Sequence, residues 1–148
     1  MPLGIRKLAV VGAAALGVIA LSAPSASATS QQSDWVKMAI NPNCHIKLYV
    51  DDHQYAGKIR AQAHFTCDKG GNLFTPYISI DRDNQHGLGR KTAGPKWIDK
   101  DTGFGGFETT TANKSGRQCY KAVLQIVYPE PGEGGNTTQF VKTPCLNT

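Results

Sequence analysis

The chain has 148 residues, 16 basic against 11 acidic side chains for a formal net charge of +5, and 40% apolar residues. That length has room for one domain. The charge is modest and interspersed with acids, which excludes the strong basic stripe of a dedicated nucleic-acid binder.

Residues 1–28 read as an export signal. Arg6 and Lys7 give a basic start, Leu8 to Leu21 is an apolar run, and Ala26-Ser27-Ala28 fits a small-residue cleavage site. A retained anchor is the other reading, but the run is short and ends near Pro24. Its alanine- and glycine-rich composition is in the style of signals from high-GC Gram-positive bacteria. In a bacterial product the acceptor patterns at Asn113 and Asn136 carry no glycan. Cleavage after Ala28 leaves about 120 residues, 29–148, as a single secreted, extracellular β domain. The signal holds two basic residues and no acids, so the mature charge falls from +5 to +3. No later segment approaches the roughly 18–20 apolar residues of a transmembrane span.

In chain order, Thr29–Ser33 reads as a loose terminus and Asp34–Ile40 as a strand halted by Asn41-Pro42-Asn43. Segments 44–51 (CHIKLYVD) and 58–67 (KIRAQAHFTC) both alternate with period two. Setting Cys44 opposite Cys67 in an antiparallel hairpin pairs Ile46 with Phe65, Leu48 with Ala63, and Val50 with Ala61. On the polar face the same register sets Asp51 against Arg60, a favourable charge pair. Residues 68–72 form a turn, and Leu73–Asp81 reads as a strand with Ile78 and Ile80 on one side. Arg82–Lys96 reads as a long irregular loop, with Trp97 and Ile98 as a short strand or anchor. Gly103–Gly106 reads as a loop entering a strand at Phe107–Ala112. A two-residue turn near Asn113–Gly116 would then pair Glu108 with Lys121 and Phe107 with Ala122.

The last stretch pairs 119–128 (CYKAVLQIVY) with 137–145 (TTQFVKTPC) across a Pro- and Gly-rich loop at 129–136. Bridging Cys119 to Cys145 sets Leu124 opposite Phe140 and Val123 opposite Val141. It also leaves the apolar set Tyr120, Ala122, Leu124, Ile126 and Tyr128 on the face away from the disulfide. A bulge, or a disulfide on an outer face, resolves that tension. Four cysteines in an exported chain argue for two disulfides, with Cys44–Cys67 and Cys119–Cys145 favoured of three pairings. No C-x-x-C pair suggests zinc. The expected fold is all-β: a small disulfide-bonded β-sandwich, Ig-like in architecture only, of about seven antiparallel strands.

Three constellations could carry function. His45, Lys47 and His64 share the polar face of the first hairpin, with Tyr49 and Arg60 nearby. Two histidines about 7–8 Å apart beside a lysine could act as acid and base on a phosphodiester; an ordinary solvated sheet face is the plainer reading. Asp99-Lys100-Asp101-Thr102-Gly103 starts like a calcium loop, with Asp81 and Asp83 as further carboxylates. Gly103, Phe104 and Thr110 break the full pattern, so no metal or cofactor is expected. Phe104 and Trp97, beside glycines, are candidate partner contacts, though Trp97 could instead plug the sandwich and Phe107 reads as core.

The leading expectation is a non-enzymatic secreted module that recognises an extracellular protein or glycan through its loops. An inhibitor, with the 129–136 loop entering an active site, or a subunit of a secreted assembly are special cases. A small nuclease-like hydrolase using His45 and His64 is the alternative.

Overall fold

The structure is a computed structural model that describes residues 30–130, 132 and 134–148. The expected export signal therefore lies outside the described residues, as do Pro131 and Glu133.

Eleven strand segments follow one another, and no helix occurs among the described residues. They are β1 (Ser30–Gln32), β2 (Val36–Lys37), β3 (Cys44–Asp51), β4 (Lys58–Cys67), β5 (Gly71–Arg82) and β6 (Gln85–Thr92). Then come β7 (Lys96–Asp99), β8 (Phe104–Ala112), β9 (Cys119–Pro129), β10 (Asn136–Lys142) and β11 (Leu146–Asn147). One antiparallel sheet runs β1–β3–β4–β8, with β2 also on β3. The other runs β10–β9–β5–β6, with β11 on β9 and β7 on β5. Three pairs of segments (β1/β2, β6/β7 and β10/β11) thus act as interrupted single strands, giving an all-β sandwich of four rows in each sheet.

The alternating side chains of β3, β4, β5 and β9 send one row inward. Ile46, Leu48, Ile59, Phe74, Ile78, Ile80, Leu124 and Ile126 are fully buried between the sheets, together with Tyr120 and Tyr128. Period-two alternation over one half-buried face is what puts every second residue there. The β3–β4 register is the one read from the sequence, from Cys44↔Cys67 to Asp51↔Arg60. The disulfides are Cys44–Cys67, inside the core, and Cys119–Cys145, half-buried on the outside of the second sheet.

Several local expectations give way. The β9–β10 register is offset by one, with Val141 opposite Leu124 and Phe140 opposite Gln125. Pro144 has no N–H to continue the ladder. Thr143 bonds to Ala122 through both its N–H and its Oγ1. The chain then resumes at β11 in a shifted register, Leu146 opposite Tyr120. That extra residue is the bulge that lets Val141 enter the core while the disulfide stays outside.

β8 does not pair with β9. It pairs with β4, Gln62 opposite Glu108 and Ala63 opposite Phe107, so 113–118 crosses between sheets instead of turning a hairpin. The Tyr120 hydroxyl accepts the Lys114 N–H at 2.8 Å within that crossing. Gln85–Thr92 is an edge strand rather than a loop. Almost all of its side chains are exposed, so it carries no apolar alternation to read.

The amino-terminal segment is also more ordered than its composition suggests. β1 pairs with Tyr49–Asp51. Ser33, buried, then exchanges backbone and Oγ bonds with Leu48, which splits the expected 34–40 strand down to β2.

Candidate functional site

The hairpin face holds His45, Lys47 and His64 where the register requires. Lys47 lies directly opposite His64, and His45 two pairs further on, opposite Thr66. Their surroundings divide them. The Lys47 ammonium lies 5.7 Å from the Trp35 ring and 5.6 Å from the Tyr49 ring. His64 packs edge-on against Tyr49 at 5.3 Å, and its pKa is lowered by burial and then by Arg60. His45 turns to Asp68 instead, Nδ1 to carboxylate 3.7 Å.

Asp99 spends its carboxylate locally. It accepts the N–H groups of Asp101 and Thr102 at 2.9 and 2.8 Å and the Thr102 hydroxyl at 2.9 Å. Those bonds, led by the Thr102 N–H, hold its pKa below the ordinary carboxylate value. This is a self-capped turn.

Phe104 lies on β8, not on a loop. It is half-buried, with its ring 5.5 Å from Phe65 and 5.9 Å from Phe107. Phe107 packs against the core. Trp97, on β7, is 58% exposed and lies across Gly71, where any Cβ would collide with the indole. The 129–136 loop joins β9 to β10 at the end away from Cys119, so the second disulfide does not brace its base.

One concavity is a feature the sequence reading did not single out. The outer face of the second sheet forms a groove of about 560 Å³ lined by Tyr77, Ser79, Val123, Gln125, Arg90 and Phe140, among others. Odd-numbered residues of β5 and β9 point there because their even-numbered neighbours fill the core. Phe140 is 60% exposed, an aromatic ring displayed on a sheet face by the one-residue register offset.

The end of the groove is polar. Asp81 accepts the Gly87 N–H at 3.1 Å and faces His86 at 3.1 Å and Lys142 at 3.5 Å. Burial pushes the Asp81 carboxyl up. The Gly87 N–H, His86 and Lys142 together outweigh that, and the net shift is downward. Arg90 lies 4.9 Å over the Tyr77 ring and donates to Gln125 Oε1 at 2.9 Å.

The available signal for this groove was the apolar or aromatic residue on a strand's outward row, as at Tyr77, Val123 and Phe140. It could be read only with β9–β10 in the correct register. No group of side chains that could hold a metal ion occurs among the described residues. No family model, characterised protein or solved structure matches this chain.

Proposed function

We propose that residues 29–148 form a secreted, non-enzymatic module that binds an extracellular glycan across the outer face of the second sheet, not at loop tips. The observation that carries this reading is Phe140, exposed in a concave face beside Val123 and a set of hydrogen-bonding side chains. A sugar ring presents an apolar C–H face and a rim of hydroxyls. Phe140 and Val123 suit the first; Ser79, Gln125 and Asp81 suit the second. The groove has the volume of a small-ligand cleft.

Export fits the two disulfides, and no helix among the described residues is long and apolar enough to cross a membrane. The nuclease alternative has less support, because His45 faces Asp68 while His64 packs on Tyr49.

The test is glycan-array screening of the oxidised 29–148 chain, followed by calorimetric titration of the hits. Phe140→Ala should weaken binding at least tenfold with little change in Tm, since the ring is mostly in solvent. Full binding by Phe140→Ala, or no glycan bound at all, rejects the reading.

A further inference from the structure

Resting on that glycan reading, the charge lining the groove sets which glycans it selects. Arg90 decides it. Its guanidinium is held on one side by the Tyr77 ring and at one nitrogen by Gln125 Oε1. Among the described residues, no carboxylate lies within ion-pair distance of it. The Arg90 side chain is exposed and lines the same groove as Phe140. The neighbouring charges do not compensate it. Asp81 is the acid of the groove, and it is already shared between Lys142 and His86. Lys121, opposite Asp81 on β9, adds another cation at that end.

A stacked, anchored guanidinium without a counter-ion is a preorganised receptor for a planar or tetrahedral anion. Its fork matches two oxygens at once, and the Tyr77 ring and Gln125 hold it in the groove before binding. We propose that the ligand is an anionic glycan polymer whose acid group, a carboxylate or a phosphodiester, docks on Arg90 while a sugar ring lies against Phe140.

The test uses the oxidised 29–148 chain with three probes: polygalacturonate, poly(glycerol phosphate) and a neutral β-glucan. At least one anionic polymer should bind tenfold or more tightly than the glucan, and its identity distinguishes carboxylate from phosphate. Arg90→Gln should remove that preference. Arg90→Lys should fail to restore it, since an ammonium keeps the charge but neither stacks nor forks.

Equal binding of charged and neutral polymers, or full binding by Arg90→Gln, overturns the anion assignment. Loss of glucan binding in Phe140→Ala would then leave the glycan reading standing alone. Restoration by Arg90→Lys reduces the effect to diffuse charge attraction and also overturns the proposal. If none of the three binds, the anion assignment falls, and the glycan reading falls with it only if the array also gives no hit.

Discussion

Asp51 is 2% exposed, yet it keeps a full set of partners. Arg60 donates to its Oδ2 from Nε at 2.9 Å and from Nη2 at 2.8 Å. The same guanidinium reaches Glu108 at 3.6 Å, and Tyr55 donates to Glu108 at 3.0 Å. Removing one member of a buried pair costs more than the pair itself is worth, because the other charge stays desolvated. Arg60→Ala should therefore cost about 3 kcal/mol in urea denaturation. Asp51→Asn/Arg60→Met should recover part of that loss. Tyr128 makes a second case at this scale. It is fully buried, its hydroxyl donates to Gln139 Oε1 at 2.6 Å, and burial pushes its pKa up to about 12, a rise only partly offset by the Ala39 backbone contact. The unfolded chain ionises near 10. A raised folded pKa means that stability is intact below pH 10 and falls as pH rises towards 12. Tyr128→Phe should flatten that decline, as equilibrium unfolding at a series of alkaline pH values would report.

At the scale of elements, the two cystine-closed pairs look alike but differ in what surrounds them. Their sequence separations are 23 and 26 residues, so loop closure contributes nearly the same, about 3 kcal/mol each. Cys44 and Cys67 are in the core, whereas Cys119 and Cys145 are on an outer face. Cys44→Ala/Cys67→Ala should therefore lower Tm more than Cys119→Ala/Cys145→Ala, since it also leaves a cavity. Differential scanning calorimetry of both double variants checks this ordering. The same contrast explains what was legible in the sequence. The first hairpin alternates without interruption from Cys44 to Cys67, so a single anchor sets every pair. In the second, Pro144 inserts a break that no pattern of apolar letters reveals, and the register moves by one residue. That offset is what exposes Phe140, so the groove was hidden along with it. The 113–118 segment reads as a turn by composition. Whether it turns or crosses is decided by which sheet buries Phe107, a tertiary choice. Edge strand β6 was unreadable because Leu88 is its one apolar side chain packed on the core and the others are exposed.

Across the whole molecule, the two sheets are tied together along both open sides, and the ties differ in how they bear on the groove. On one side the Gln139 amide bridges β10 to the amino-terminal segment. Its Oε1 accepts the Ala39 N–H at 2.9 Å, and its Nε2 donates to the Lys37 carbonyl at 2.9 Å. On the other side β6 presses against β8. The Thr109 hydroxyl donates to the Gly89 carbonyl, and Gly89 sits at φ +60°. A Cβ there would lie 2.6 Å from the Thr110 carbonyl oxygen and 2.9 Å from Thr109 Oγ1. Only glycine permits both this conformation and this approach. Gly89→Ala should cost about 2 kcal/mol, because backbone cannot yield as a flexible side chain would. It should also push β6 away from β8, and Arg90 is the next residue along. Loss of anionic-glycan affinity should therefore accompany that loss of stability. Gln139→Ala makes the control: it should destabilise by about 1–2 kcal/mol while leaving Arg90 stacked on Tyr77. Denaturant titration alongside ligand titration separates the two variants. Equal binding by both would mean that closure of the sandwich at β6 does not set the geometry of the groove.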